Sequence, residues 1–308
     1  MKKHDVAVVG EIFIDHVFTG FGRWPNPGEE VFAPQYMRDV GGGAAITACA
    51  LAKLDRSVSL VGIIGSEDAN WIVNRLNAFG VSDDGIVQND GSTGVSVSVS
   101  IGEERSFFSH AGVNRALQGM LGSDAVLKVL SQARHVHFAL PLEYELALAL
   151  LPALRKSGCT TSLDVGFHPD WLGRSENLEI CRTVDYFFPN EREAALICGG
   201  EGVDYLSFAQ ERGLVHPVLK RGQAGAAMIA NGVKYESPSL PVSVIDTTGA
   251  GDVFDAGFID AQLDALSPEI CLRRACVCGA LSTRAPGALS AIPDRIELER
   301  VSELNHGA

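Results

Sequence analysis

The sequence predicts an α/β fold with a mainly parallel β-sheet, and three observations favour it. Apolar strand-like runs alternate with helix-like segments along the chain, which is the pattern of βαβ units. Several of these runs are continuously apolar, as expected for central parallel strands covered on both faces. No internal repeat or low-complexity linker interrupts the 308 residues. We therefore expect a single domain over residues 1–308.

The strand predictions follow the apolar runs in chain order. They are Val6–Ile14, Val58–Ile64, Val136–Leu140, Thr160–Asp164, Tyr186–Phe188, Pro217–Lys220 and Val242–Asp246. Each run has the length of an ordinary strand and is followed by residues with the composition of a turn or a helix.

Two segments depart from this rhythm. Gly20–Pro34 is rich in Gly and Pro and lacks the periodicity of a core element. Gly94–Ile101 reads GVSVSVSI, a period-2 alternation that predicts a strand with one wet, serine-lined face. Together they predict a small β-sheet lid that projects from the core. An antiparallel edge hairpin of the main sheet is the alternative.

Composition and charge exclude several classes of function. The formal net charge of −13 argues against a nucleic-acid or anionic-membrane partner, because both need a basic surface. No apolar run approaches the roughly 18–20 residues of a membrane span. Seven cysteines without a CxxC pair indicate buried thiols in a reducing compartment, so we expect a cytoplasmic protein.

Polar groups follow three successive strand-like runs at the point where each run ends. The run that ends at Phe188 leads into a polar stretch, the next ends at Lys220, and the third leads into the string DTTGAGD, from Asp246 to Asp252. Ligands of open parallel sheets bind beyond the carboxyl ends of the strands. These three endings therefore indicate one edge that carries the chemistry.

The DTTGAGD string predicts a site for phosphoryl transfer. Gly249, Ala250 and Gly251 lack bulky side chains, so their amides can approach an anion closely, and they open a helix whose positive end points at the loop. Asp252 lies in the first turn of that helix, where a carboxylate can accept the proton of an attacking hydroxyl. The alternative is that Asp252 only complements the helix dipole. No P-loop, GxSxG or HExxH string is present.

These strings resemble the signatures of the ribokinase (PfkB) family of carbohydrate kinases. Asp246–Asp252 followed by Phe254 and Gly257 is similar to the family's C-terminal signature, DTTGAGDxFxxG, which is highly specific. Gly41-Gly42 with the small apolar residues after it resembles the weaker N-terminal GG signature. The likeness extends over almost the whole chain.

The resemblance implies a three-layer α/β/α fold, a β-sheet lid from about residues 12–38 and 92–109, and dimerisation through that lid. It also implies ATP-dependent phosphorylation of a hydroxyl, primary in the leading hypothesis, on a small sugar. Asp252 would be the base and the amides of Gly249, Ala250 and Gly251 the anion hole. The acceptor would contact Asp15, Gly41 and Gly42, and the nucleotide would contact Asn190, Lys220, Gly222, Gly225 and Thr247.

Two metal ions follow from the same resemblance. Asn190 and Glu193 fit the NxxE motif, whose members organise the Mg²⁺ on the ATP phosphates, largely through water. A monovalent cation such as K⁺ would lie near Asp246, the Thr248 carbonyl and the backbone around Gly287.

Some residues depart from the family pattern and leave the acceptor open. Ile46 replaces the asparagine of the GG signature that often contacts the sugar. His168 is a candidate for substrate contact or a loop cap, and Arg105 for contact with a substrate anion or a solvated position. Large apolar residues such as Ile46, Phe13 and Trp24 favour a nucleoside kinase as the alternative. A non-catalytic ligand sensor is a third reading, disfavoured because a binding module needs no base.

Overall fold

The structure, a computed structural model, describes residues 2–101 and 104–304, with the backbone alone at 104, 105, 303 and 304. The strands are β1 (His4–Gly10), β2 (Phe13–Phe21), β3 (Gln35–Gly41), β4 (Val58–Gly65), β5 (Ser82–Asn89), β6 (Gly94–Ile101), β7 (Glu104–His110), β8 (Ala133–Ala139), β9 (Thr160–Leu163), β10 (Tyr186–Phe187), β11 (His216–Lys220), β12 (Ala226–Ala230) and β13 (Val233–Ser237).

The helices lie mostly between these strands. They are α1 (Gly43–Lys53), α2 (Ala69–Phe79), α3 (Leu117–Leu121), α4 (Asp124–Leu130), α5 (Tyr144–Lys156), α6 (Pro169–Leu172), α7 (Leu178–Thr183), α8 (Glu191–Cys198), α9 (Tyr205–Glu211), α10 (Ala250–Leu263), α11 (Pro268–Ser282) and α12 (Arg295–Leu304). Within the described ranges, no helix is both long and apolar enough to cross a membrane.

The main sheet has the order β13-β12-β11-β10-β9-β8-β1-β4-β5. Its strands from β5 to β11 pair in parallel, and β12 and β13 add an antiparallel edge. The side chains of β1 alternate between two hydrophobic cores. Ala7 and Val9 pack in one core, and Val6 and Val8 pack in the other. Because alternate side chains point to opposite faces of a strand, the sheet is covered by helices on both sides. The predicted three-layer α/β/α fold is confirmed.

Two strand predictions need correction. The run Val6–Ile14 is divided, because β1 ends at Gly10 and β2 begins at Phe13 in a different sheet. Asn114 holds the crossing: its Nδ2 donates to the Ile12 carbonyl at 2.9 Å, and its Oδ1 accepts from the Ile12 amide at 3.3 Å.

The run Val242–Asp246 forms no strand. The amides of Ile245 and Asp246 both donate to the carbonyl of Thr283, just after α11, at 2.8 and 3.0 Å. Val244 and Ile245 are left about half exposed. The backbone hydrogen bonds of this segment therefore go to the end of a helix rather than to the main sheet.

A separate small sheet has the order β3-β2-β6-β7, so Gly94–Ile101 is a strand of a second sheet, not an edge of the first. The expected wet serine face is wrong. Ser98 is buried, whereas the side chains of Val97 and Val99 remain half-buried. Ser96 pairs with Asp15 across the strands, and Asp15 lies half-buried against Gly41, just before α1. The serine-bearing face is therefore the one turned towards the main body.

Candidate active site

The loop before α10 is ordered by one buried carboxylate. Asp246 accepts the Thr248 amide through Oδ1 at 2.7 Å and the Gly287 amide through Oδ2 at 2.8 Å. Gly249 caps α10 with a φ of 74°, a left-handed conformation that favours glycine. The Ala250 amide donates to the Thr247 carbonyl at 3.2 Å. The first amides of a helix have no acceptor in the preceding turn, so the N-terminus of α10 is suited to binding an anion.

Asp252 is a half-buried acid next to these amides. Burial, and to a smaller extent the nearby Asp164, raise the pKa of Asp252 to about 7, although Lys220 opposes the rise. A side chain added to Gly43 would come within 2.8 Å of Asp252 Oδ1, which places this carboxyl at the start of α1. An acid whose pKa lies near neutrality can accept a proton at physiological pH.

The GG segment links Asp252 to the second predicted carboxylate. A Cβ on Gly41 would fall 2.0 Å from Asp15 Oδ2, and one on Gly42 would fall 2.4 Å from the Glu11 carbonyl oxygen. Asp15 therefore lies directly over Gly41, two residues from the glycine that contacts Asp252. Burial, assisted by Asp39, raises the pKa of Asp15 to about 6. The structure thus brings Asp15, Gly41, Gly42 and Asp252 together at one site.

A cavity of about 550 Å³ adjoins the α10 N-terminus, a size typical of small-ligand sites. Six of the residues predicted to bind the nucleotide or form the anion hole line it: Lys220, Gly222, Gly225, Thr247, Ala250 and Gly251. Apolar walls come from Leu240, Pro241, Val242 and Val244, and from Cys276, Gly279 and Ala280. Asn190 is not among the lining residues.

Asn190 and Glu193 form a capping box at the start of α8. Asn190 Nδ2 donates to Glu193 Oε1 at 2.6 Å, the Asn190 amide donates to Oε2 at 2.8 Å, and the Glu193 amide donates to Asn190 Oδ1 at 3.0 Å. Burial, with Asp164 nearby, raises the pKa of Glu193. Among the residues that the structure describes, no cluster of three His, Cys, Asp or Glu side chains could bind a metal directly.

Lys220 lies between two acids that the sequence analysis did not single out. Its Nζ is 2.5 Å from Asp164 Oδ2, at the end of β9, and 3.4 Å from Asp255 Oδ1, in α10. Asp164 ends a predicted strand, and Asp255 follows Asp252 by three residues on the same helix. Both positions could therefore have been named from the sequence as candidates for the site. Their meeting with Lys220 depends on the sheet order and was not readable from spacing.

Two candidates for contact with the acceptor remain, His168 and Arg105, and the structure describes the side chain of His168 alone. Burial raises the pKa of Glu11, and His168 opposes the rise, so these two side chains lie near one another. His168 Nδ1 is 2.6 Å from the Val165 carbonyl oxygen, and it lines a second cavity of about 730 Å³. The side chain of Arg105 lies outside the described residues.

The apolar candidates for a nucleoside pocket also occupy different places. Ile46 is buried and packs against Gly249. The Phe13 ring comes close to Gly42 and Gly94, next to the GG segment. Trp24 is about half exposed and packs edge-on against Phe108 of the small sheet.

Known proteins similar to this chain are kinases. Residues 3–295 match the pfkB family carbohydrate kinase. An ATP-dependent ribose-1-phosphate kinase of Halopiger xanaduensis is 31% identical over 87% of this chain and 88% of its own length. A cytidine kinase of Thermococcus kodakarensis is 28% identical over 87% and 92%. The structure of Arabidopsis thaliana ribokinase complexed with ribose and ATP is 26% identical, with a TM-score of 0.86, and covers 97% of this chain and 99% of that one.

Proposed function

The chain belongs to the pfkB family of carbohydrate kinases, and from that premise we propose that it transfers the γ-phosphoryl group of ATP to a hydroxyl of a small, uncharged sugar. One observation carries the proposal. Asp252, a half-buried acid whose pKa is about 7, lies in the first turn of a helix whose N-terminal residues line a cavity large enough for a nucleotide. A base and an anion site thus adjoin each other.

The mechanism follows from this juxtaposition. ATP occupies the 550 Å³ cavity, with its transferring phosphoryl group against the amides of Gly249 and Gly251. Asp252 accepts the proton of the acceptor hydroxyl as the hydroxyl oxygen bonds to phosphorus. The bond from phosphorus to the β,γ-bridging oxygen breaks, and ADP leaves with that electron pair. The helix N-terminus stabilises the negative charge on the phosphoryl oxygens.

Two cations belong to the proposal. Mg²⁺ bound with the nucleotide supplies charge neutralisation on the phosphates. Asn190 and Glu193 would hold it through water, because their side-chain oxygens already accept hydrogen bonds within the capping box. K⁺ near Asp246 and the Thr248 carbonyl would support the loop that carries the anion site.

The acceptor is proposed to be uncharged because two acids flank its proposed site. Asp15 lies against Gly41, and Asp252 lies against Gly43, two residues further along the chain. Carboxylates accept hydrogen bonds from hydroxyls and repel phosphate. A nucleoside is the second candidate, favoured by the Phe13 ring beside Gly42 and Gly94, on which a base can stack.

The small sheet is proposed to act as a lid over this acceptor. It carries Asp15 in β2 and Met37 in β3, and Met37 approaches Gly287, whose amide bonds to Asp246. The opposite face exposes Tyr36 and Phe108, with Val97 and Val99 half-buried between them. We expect two copies of the chain to pair through that face, because exposed apolar patches of this kind mark interaction surfaces.

The seven free cysteines suit a reducing compartment such as the cytoplasm.

The test of the proposed function is Asp252→Asn, compared with Asp124→Asn as a matched control. Both acids lie in the first turn of a helix, but Asp124 is exposed at the start of α4. We expect Asp252→Asn to lower kcat roughly 10²–10⁴-fold, the range of general-base catalysis, with ATP affinity close to that of the wild type. A loss below tenfold would remove Asp252 from the role of base.

A further inference from the structure

Lys220 is held by two acids although one would balance its charge. Its ammonium is almost buried, Asp164 is 2.5 Å away and Asp255 is 3.4 Å away. Asp164 also accepts the Gly166 amide at 2.9 Å, so its position is fixed by backbone as well as by charge. The Lys220 backbone is fixed too, because its amide donates to the Pro189 carbonyl at 2.9 Å. The ammonium therefore has a defined place.

That place adjoins the anion site. A Cβ on Gly251 would lie 3.4 Å from Lys220 Nζ, so the ammonium is next to the second residue of α10. An ammonium has three N–H donors. Asp164 and Asp255 account for two of them, and the third is left for a group that lies at the helix N-terminus.

The pKa of Asp255 bears on the net charge around Lys220. Burial raises the pKa of Asp255 well above its usual value; Lys220 opposes this and Asp164 adds to it. Burial therefore favours the neutral form of Asp255 beside the ion pair of Lys220 and Asp164. Two buried carboxylates around one ammonium would instead leave a net negative charge next to the anion site, and would repel a phosphate.

Two buried histidines lie behind Asp255. His137 Nε2 and Asp255 Oδ2 are 3.9 Å apart, beyond hydrogen-bond distance, and both side chains are fully buried. His137 Nδ1 is 2.8 Å from Ser162 Oγ, which is 2.7 Å from His135 Nε2. This chain of polar side chains crosses β8 and β9 in the interior and reaches α10 at Asp255.

We propose that Lys220 is a catalytic cation that contacts the transferring phosphoryl group, and that Asp255 is the positioning residue that aims it there with His137 behind. The inference rests on the proposed function. Lys220 keeps its proton throughout, while the hydroxyl proton goes to Asp252 and the electron pair leaves with ADP. Its role is to stabilise the charge on the phosphoryl oxygens at a point fixed before the nucleotide binds.

The first experiment compares Lys220→Ala with Lys234→Ala, a control in the edge strand β13 whose lysine is exposed and pairs with Glu236. The acceptor is the sugar that gives the wild type its highest turnover in a panel, and ATP affinity is measured by calorimetry. We expect Lys220→Ala to lower kcat roughly 10²–10³-fold, as the loss of an anion-stabilising donor does. Ethylammonium should restore part of the rate to Lys220→Ala, and none to Asp252→Asn.

The second experiment separates positioning from packing. Asp255→Asn keeps the shape and a hydrogen-bonding oxygen, whereas Asp255→Ala removes the contact to Lys220. We expect the loss of kcat to be at least tenfold greater in Asp255→Ala than in Asp255→Asn, since misplacing a catalytic group by about 1 Å can cost 10²-fold. A purely structural role would lower the melting temperature of both variants without this difference in kcat.

Several outcomes would overturn the proposal. They are a kcat of Lys220→Ala within threefold of the wild type, no rescue by ethylammonium, or equal losses in the two Asp255 variants. If Lys220→Ala does not fold, Lys220→Met fills a similar volume without the charge, and its kcat is judged by the same threefold limit. Failure of the proposed function itself looks different, because the wild type would then phosphorylate no sugar or nucleoside.

Discussion

Asp252 should make the fold less stable as the pH rises, and this can be measured without any substrate. Its pKa is about 7 in the folded protein, against an ordinary value of 3.8. The folded state therefore holds the proton more tightly than the unfolded state does, and stability falls as the pH rises from the unfolded pKa to the folded one. Replacing Asp252 by Asn removes this dependence.

The size of the effect follows from the two pKa values. Between pH 5 and pH 8, a carboxyl with these values loses roughly 2.5 kcal/mol of stability. We therefore expect the free energy of unfolding of Asp252→Asn, relative to the wild type, to rise by about that amount over the same interval. Urea unfolding of both proteins at the two pH values gives the difference directly. Asp124→Asn, exposed at the start of α4, is the matched control.

An unchanged difference between wild type and Asp252→Asn at the two pH values would refute the reasoning. It would mean that Asp252 is already ionised in the folded protein at pH 5, and that burial does not hold its proton. The pH profile of turnover is the companion measurement. The base works ionised, so kcat/KM should fall tenfold per pH unit below about pH 7.

Three further predictions address the metal, the acceptor and the lid. Glu193→Gln should raise the Mg²⁺ concentration needed for half-maximal turnover and leave the sugar KM unchanged; a changed sugar KM at saturating Mg²⁺ would count against water-mediated metal binding. Asp15→Ala should raise the sugar KM roughly tenfold or more, because a charged hydrogen bond contributes about 1.5–3 kcal/mol, and an unchanged KM would show a solvated carboxylate. Phe108→Glu should convert a dimer to a monomer in light scattering, whereas a monomeric wild type would contradict pairing through the small sheet.

The fold class and the family were predictable because the signals are local. The alternation of apolar runs predicted the main sheet, and the string from Asp246 to Asp252 predicted the opening of α10 and the family. The assignment of Asp252 as the base stays a prediction. GVSVSVSI predicted a strand of a second sheet. Its buried face was misjudged, because serines on a face that carries Asp15 are turned inward by the tertiary fold rather than by their own polarity.

The remaining differences come from long-range packing. The break of Val6–Ile14 depends on Asn114, about a hundred positions away, which holds the Ile12 backbone. Val242–Asp246 reads as a strand, but its amides bond to Thr283 after α11. Likewise Lys220 meets Asp164 and Asp255 only because β9 and β11 end, and α10 begins, at one edge. Hydrophobic periodicity predicts which face of a helix or strand is buried. It does not predict which other helix or strand packs against that face.

The most direct test of kinase activity is ATP turnover on a panel of uncharged pentoses, hexoses and nucleosides, with ribose 1-phosphate as the charged comparison. ADP release is followed by a coupled assay, and each product is weighed by mass spectrometry. We expect an uncharged acceptor to gain the mass of one phosphoryl group at a rate that Asp252→Asn abolishes. ADP release with no phosphorylated acceptor, or activity that Asp252→Asn retains, would contradict the assignment of this site to sugar phosphorylation.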